Sequence, residues 1–492
     1  MTETAKKKRG MPSSFTILLA LLAIVAVVTV IVSGTSGGAV TAARLSDFCT
    51  APVKGFADAL PVCLFVMILG GFLGMMTETG ALDNGIAVLV QKLKGNEIML
   101  IPVLMLIFSL GGTTYGMCEE TVPFYALLAA TMMAAGFDPM VGAATVLLGA
   151  GCGCLGSTVN PFAVGAAVDA LTGVDIAVNQ SIIIGLGAVL WIVTTAMSIV
   201  FVMNYAKKVK ADKGSTILSM QELKDAEEAH GKAASEVHKE VKLTGRQKGV
   251  LIAFAFTFVV MIVGFIPLAD LNEGVANFFD AGAVYDADGN AIVQGWSALI
   301  TGLPIGQWYF DEASTWFFLM AVLIGIIGGL SEKQIVNTFI TGAADMMSVV
   351  LVIALARGIS VLMASTGLDV YVLDAAANAL AGLSGVIFAP MSFLVYFGLS
   401  FLIPSTSGMA TVSMPIMGPL AVKLGFSPEV MVMIFSAAIG VVNLFTPTSG
   451  AIMGGLALAK IEWTTWLKFA LKLIVALSVV CAVILTIACV ML

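Results

Sequence analysis

Two long apolar stretches of this 492-residue chain are interrupted by short polar runs that read as copies of each other. The first run is Gly156-Ser157-Thr158-Val159-Asn160-Pro161-Phe162-Ala163-Val164-Gly165. The second, 286 to 289 residues further on, is Phe445-Thr446-Pro447-Thr448-Ser449-Gly450-Ala451-Ile452-Met453-Gly454. Each follows a turn of the same kind, Gly136-Phe137-Asp138-Pro139 and Gly425-Phe426-Ser427-Pro428. Lipid offers no partner to freed backbone N–H and C=O groups, so a broken helix at membrane depth must line a cavity in protein. A Gly/Pro-interrupted apolar segment in corresponding positions of two halves points to a transporter's binding site.

Composition supports a membrane setting. The chain is 59% hydrophobic and 11% charged, with mean hydropathy +1.02, whereas soluble proteins carry about 25% charged residues. The net charge of −7 and the lack of a basic face outside short loops exclude a nucleic-acid partner. Seven cysteines lie mostly within apolar segments, and Cys152-Gly-Cys154 reads as small packing residues rather than a metal or disulfide site. Gly151-Cys-Gly153-Cys-Leu-Gly156 matches a dinucleotide fingerprint only in letters, because no strand precedes it. No Walker, kinase, zincin or triad pattern appears, so an enzyme is not expected and an ion or solute gradient would have to drive transport.

Spans of about 20 residues are expected at 15–34, 56–77, 139–172 (broken), 180–206, 247–267, 313–331, 342–364, 427–459 (broken) and 466–490. The basic Lys6-Lys7-Lys8-Arg9 start precedes an apolar run without a cleavage pattern, read as the first transmembrane helix. Stretches 97–134 and 386–424 are too long for one helix. Their polar tips, Gly111-Gly112-Thr113-Thr114-Tyr115-Gly116 and Pro404-Ser405-Thr406-Ser407-Gly408, carry no charge, which favours re-entrant hairpins over pairs of spans. With the N-terminus in the cytoplasm, loop 207–246 and its ten Lys/Arg between Lys207 and Lys248 fall inside. Loop 269–311, with Asp270, Glu273, Asp280, Asp286 and Asp288 and no Lys or Arg, falls outside, as the positive-inside rule asks.

The repeat extends upstream. Gly55-Phe-Ala-Asp58 matches Gly342-Ala-Ala-Asp345, and Thr79-Gly80 matches Thr366-Gly367, both at an offset of 287. Amphipathic pieces 81–94 and 368–384 follow. The expected fold is an all-α polytopic membrane protein with two inverted repeats, each carrying a re-entrant hairpin and a broken helix. The first repeat occupies 1–206, with hairpin 97–134 and broken helix 139–172. A charged cytosolic loop and connecting helix follow at 207–268, and an acidic external loop at 269–311. The second repeat occupies 312–492, with hairpin 386–424 and broken helix 427–459. Loop 207–246 reads as a solvated helix or tether, and its His230 and His238 are poor metal or proton-relay candidates.

The candidate binding residues sit at the breaks and tips. Ser157, Thr158 and Asn160 in one half, and Asn443, Thr446, Thr448 and Ser449 in the other, supply polar groups beside half-helix ends. Half-helix N-termini suit a carboxylate, and half-helix C-termini suit a cation such as Na⁺. Pro161 and Pro447 remove a donor and keep the helix open. The plainer reading is that small residues only pack helices. Glu119 and Glu120, followed by Thr121, place two carboxylates by the first tip, for a cationic substrate group, Na⁺ or a coupling proton. Neighbours on a helix diverge by about 100°, so one of the two is expected to face the site. Arg357, whose counterpart is Gly70, lies mid-span. It either grips a substrate carboxylate or pairs with Glu119 or Glu120.

At Tyr115-Gly-Met-Cys-Glu-Glu-Thr-Val-Pro-Phe124, Gly149-Ala-Gly through Asn160-Pro-Phe162, Ala356-Arg-Gly358 and Pro404-Ser-Thr-Ser-Gly408 the sequence resembles the YfcC-like group of the C4-dicarboxylate anaerobic carrier family, within the ion-transporter superfamily. The resemblance covers nearly the whole chain. It implies a scaffold and a transport domain, a homodimer and elevator-type movement. It also implies substrate and coupling-Na⁺ contacts at Thr113, Thr114, Ser157, Thr158, Asn160, Ser405, Thr406, Ser407, Thr446, Thr448 and Ser449, with Na⁺ near Ser157, Asn160, Thr446 and Ser449. The tips depart from the Ser-Asn-Thr pattern of dicarboxylate/sodium symporters, and similar proteins include arginine/ornithine exchangers. The expectation is a multi-pass bacterial inner-membrane secondary transporter for a small charged solute, with Na⁺ or H⁺ as coupling ion. A basic amino acid, by exchange or cation coupling, is favoured; a C4-dicarboxylate is the alternative. A channel or membrane sensor is the alternative of another class.

Overall fold

Both interrupted stretches form helices that stop and restart. In the computed structural model, residues 14–82, 84–85, 88, 96–236, 242–266, 268–271, 273–286, 291–403 and 405–492 are described. The basic run at 6–9, most of 81–94, His238, Asp288 and Pro404 lie outside them. The described residues are helical apart from turns and one short antiparallel pair, Val284–Tyr285 with Ala291–Val293, in the acidic loop. Eight of the described helices are long and apolar enough to cross a membrane, and the chain is a multi-pass membrane protein.

Helix Pro139–Leu155 ends at the first break, and the chain re-enters helix through a π turn at Pro161–Gly165 and Ala166–Thr172. Helix Pro428–Val442 stops likewise, and Gly450–Leu458 follows. The two shared turns upstream are helix starts. Asp138 and Ser427 each accept a hydrogen bond from the N–H three residues on, at 3.1 and 3.3 Å, with proline at the first helical position. Both helices are buried along almost their whole length, as an apolar run with no polar face requires. They pack against each other at the core. Leu100–Tyr115 and Val122–Ala134, the helices flanking the first tip, pack on the first broken helix, and Gly385–Leu402 and Thr406–Lys423, flanking the second tip, pack on the second. Gln180–Ala211 and Trp463–Met491 close the outside of this group.

Runs 56–77 and 342–364 are each two helices rather than one. Leu45–Asp58 turns at Ala59 into Leu60–Glu78, and Glu332–Asp345 turns at Met346 into Met347–Thr366. The two turns are again 287 residues apart. With Ser14–Ser33, Gly245–Phe265 and Phe310–Gly328 these helices make a second packed group. Its contacts are reciprocal. A Cβ on Gly55 would lie 2.3 Å from the Ala354 carbonyl oxygen and from the Gly358 nitrogen, and one on Gly342 would lie 2.4 Å from the Gly70 oxygen and 3.1 Å from Gly71 Cα. Cys63 donates from its sulfur to the carbonyl of Val350, its own counterpart, at 3.8 Å.

Helix Met220–Glu236 is not a solvated tether. It packs along the hairpin leg Val122–Ala134, with Glu222 and His230 buried. His230 Nε2–H donates to the Leu458 carbonyl at 3.1 Å, and Glu222 accepts from the Glu462 N–H at 2.9 Å. The first bond satisfies the last carbonyl of helix Gly450–Leu458, and the second the N–H of the residue that caps Trp463–Met491. Burial, with Lys460 nearby, holds the His230 imidazole below its ordinary pKa. Docking therefore favours the neutral ring. Its contribution is complete above the ordinary value of about 6.5 and is lost as pH falls from there through the lowered docked value. Hydrogen exchange in 220–231, corrected for intrinsic rate, should rise between pH 7.5 and pH 5.5; equal protection at both would refute the linkage.

Candidate functional site

The first tip lies later than expected. Gly111 to Tyr115 are still helical, and the turn is Gly116 to Thr121. Gly116 adopts φ +80°, and a Cβ there would sit 2.6 Å from Asn160 Oδ1, so glycine meets both demands of the turn. Glu119 and Glu120 therefore form the tip itself. They lie in a tight turn rather than a regular helix, and both face the cavity. Glu120 is 1% exposed, and its Oε2 accepts from the Cys118 N–H at 2.9 Å. Glu119 is half-buried and bonds to no other side chain among the described residues.

The tips and breaks converge on one cavity of about 290 Å³. Its walls include Glu119, Glu120 and Thr121 of the first tip, Asn160 of the first break, Ser405, Thr406 and Ser407 of the second tip, and Asn443, Thr448 and Ser449 of the second break. Arg357 reaches it from helix Met347–Thr366, and Phe162 and Phe310, stacked with centroids 5.5 Å apart, supply an apolar side. The Oδ1 of Asn443 is buried without a hydrogen bond, and Ser449 caps helix Gly450–Leu458 in position but accepts no cap bond.

Five expected contacts stand behind the wall instead. Thr113 donates to the Gly156 carbonyl at 2.6 Å, and Thr158 donates to the Thr113 carbonyl at 3.0 Å, which pins the hairpin to the break. Thr114 bonds back to Leu110 within its own helix, at 2.7 Å. Ser157 donates to the Cys154 carbonyl at 2.6 Å and accepts from Asn160 Nδ2 at 2.9 Å. Thr446 meets the Thr448 hydroxyl at 2.7 Å. These hydroxyls satisfy the backbone and side chains that the breaks leave open. Asn160 does both jobs: it lines the cavity, and its Oδ1 accepts from the N–H groups of Phe162 and Ala163 at 2.9 and 3.3 Å, capping the restarted helix. The second break is fastened from outside, where the indoles of Trp463 and Trp466 donate to the carbonyls of Phe445 and Leu444 at 2.6 and 2.8 Å.

Arg357 pairs with neither glutamate. Its Nε lies 3.3 Å from Oδ2 of Asp58. Asp58 also lines the cavity, and sequence reading had marked it only as part of the repeat. The close crossing of Gly55 and Gly358 sets this pairing, because Asp58 and Arg357 project from the two helices at that crossing.

The family model described as C4-dicarboxylate anaerobic carrier (DcuC) matches residues 11–490. An uncharacterized protein of Haemophilus influenzae is 28% identical over 445 residues, covering 90% of this chain and 78% of that one. A protein of Escherichia coli named putative basic amino acid antiporter YfcC is 27% identical over 440 residues, covering 87% and 77%. Among solved structures, Neisseria gonorrhoeae MtrF, described within a class of antimetabolite efflux pumps, is 17% identical, with TM-score 0.44 and coverage of 97% of this chain and 95% of that one. The Alcanivorax borkumensis YdaH transporter is 16% identical, with TM-score 0.46 and coverage of 96% and 97%. The chain is a membrane transporter that belongs to the DcuC family, of the YfcC-like kind.

Proposed function

We propose that this protein is a secondary active transporter of the bacterial inner membrane that carries a basic amino acid, by exchange or cation coupling. The observation that carries the reading is the cavity itself, where both tips and both breaks meet around two adjacent carboxylates, Glu119 and Glu120. A cationic side chain would lie against these carboxylates. The α-carboxylate would lie toward Ser449 and the start of helix Gly450–Leu458, and the unbonded Oδ1 of Asn443, an acceptor, suits the α-ammonium. The name of the Escherichia coli relative agrees with a basic substrate. The family description names C4-dicarboxylates, and that remains the competing reading.

The reciprocal helix contacts and the Cys63–Val350 contact support two inverted repeats, because residues on a two-fold axis meet their own counterparts. On this reading the hairpins are re-entrant, the group around the broken helices is the transport domain and the other group is the scaffold. An elevator movement and a homodimer go with it, the N-terminus and loop 207–246 lying in the cytoplasm. Ser157, Asn160 and Thr446 commit oxygens to the breaks, so Na⁺ there would have to replace those bonds. Exchange or proton coupling requires no such replacement.

Proteoliposomes containing the purified protein should take up labelled arginine or ornithine, faster when preloaded with either. Succinate entry with no uptake of arginine or ornithine would overturn the basic-amino-acid reading.

A further inference from the structure

We infer that Asp58 determines charge selectivity, by occupying Arg357 and so denying it to anionic solutes. The inference deepens the basic-amino-acid reading and rests on it.

The charged side chains lining the cavity are Asp58, Glu119, Glu120 and Arg357. Three carboxylates against one guanidinium give a formal charge of −2. Among the described residues Arg357 is the one cationic side chain in that wall, and an arginine is the natural grip for a carboxylate. Its Nε is already directed at Asp58, 3.3 Å away. An incoming dicarboxylate would meet a guanidinium whose charge Asp58 already offsets, together with the field of two further carboxylates. A cationic solute meets three carboxylates against one guanidinium, a net attraction.

The fold does not demand this pair. The counterpart of Asp58 at the 287-residue offset is Asp345, and that of Arg357 is Gly70. Both counterparts line a second cavity, of about 850 Å³, whose walls among the described residues include Lys460 but no arginine. The same helix crossing is thus built twice, through Gly55 against Gly358 and through Gly342 against Gly70 and Gly71, and among the described residues only the first carries an ion pair at the crossing. Backbone contact holds both crossings together, so the pair serves the cavity rather than the packing. Asp58 is exposed and Arg357 partly so. A solvated pair of this kind adds little stability, which allows Asp58 to be changed without unfolding the helix.

The experiment compares wild-type protein, Asp58→Asn, Asp58→Glu and the double variant Asp58→Asn with Arg357→Gln in proteoliposomes. Uptake of labelled arginine and of labelled succinate is measured for each, with monodispersity checked by size exclusion. In Asp58→Asn the arginine-to-succinate ratio should fall on the order of tenfold, the scale of one charge at a partly solvated site. Asp58→Glu should restore the arginine preference, and the double variant should lose the gain in succinate entry. An unchanged ratio in monodisperse Asp58→Asn overturns the assignment, as does a gain in succinate entry that persists without Arg357. A wild-type preference for succinate overturns the basic-amino-acid reading instead.

Discussion

Glu119→Gln should lower the affinity for a basic amino acid by about a hundredfold, while Glu120→Gln should lower it much less. The two side chains are neighbours in one tight turn and both face the cavity, but their carboxylates are differently engaged. Glu120 spends an oxygen on the Cys118 N–H at 2.9 Å and is almost fully buried. A glutamine keeps an acceptor oxygen for that bond and so preserves the tip. Glu119 bonds to no other side chain among the described residues and is free to receive a cationic group. A hydrogen bond to a charged partner is worth about 1.5–3 kcal/mol, which is roughly ten- to two-hundredfold in affinity. Substrate-dependent thermal stabilisation of each variant, beside its uptake rate, checks this. If Glu119→Gln binds arginine normally and Glu120→Gln does not, the roles are reversed. If both bind it normally, neither carboxylate holds the substrate.

Gly153→Ala should remove about 3 kcal/mol or more of stability, enough to abolish monodisperse protein in detergent. A Cβ on Gly153 would lie 2.1 Å from the Ser109 carbonyl oxygen and 2.8 Å from Gly112 Cα and Thr113 N. Every one of those atoms is backbone of the first hairpin leg, so no rotamer change relieves the clash. The facing glycine is equally committed, with a Cβ on Gly112 2.2 Å from the Ala150 oxygen. Small residues let helices in a membrane approach this closely, and close packing is much of what holds them together. Forcing one methyl into a filled core costs about 1–3 kcal/mol when side chains can adjust, and more is expected where only backbone is available. Separating the helices would also break the Thr113–Gly156 and Thr158–Thr113 bonds that tie the tip to the break. Gly185→Ala is the control. It lies in helix Gln180–Ala211 with open space around its Cβ position, and it should be neutral or slightly stabilising. Thermal melts of the two variants side by side give the comparison. A Gly153→Ala melt like that of wild type would show that the two helices can separate at small cost.

The same crossing shows how far a sequence can be read. Cys152-Gly-Cys154 was legible as packing, because small residues in an apolar run have few other uses. Which helix fills the space over Gly153 was not legible, since that depends on a rotation about the helix axis fixed by distant contacts. The first tip was misplaced for a related reason. Gly111-Gly112-Thr113-Thr114 reads as loop by local preference, yet it stays helical because Gly112 must press against Gly153. Tertiary packing overrides propensity at such points. The helix Met220–Glu236 read as solvated because its charges dominate, and its buried face of Glu222, Ala226 and His230 has too few apolar residues to announce a partner.

The amino-acid sequence alone located the breaks and the paired turns before them. Each follows from chemistry close to the chain: Pro161 and Pro447 remove a backbone donor at the breaks, Asp138 and Ser427 start a helix, and apolar runs long enough to cross a bilayer must do so or be buried. Only the tertiary structure decided that Arg357 answers Asp58, that Glu119 is the less engaged carboxylate, and that Asn160 and Ser449 face the cavity while Ser157 and Thr446 do not. The physical reason is geometric. Successive side chains on a helix point about 100° apart, so which of them meets a cavity is set by how helices far apart in the chain cross.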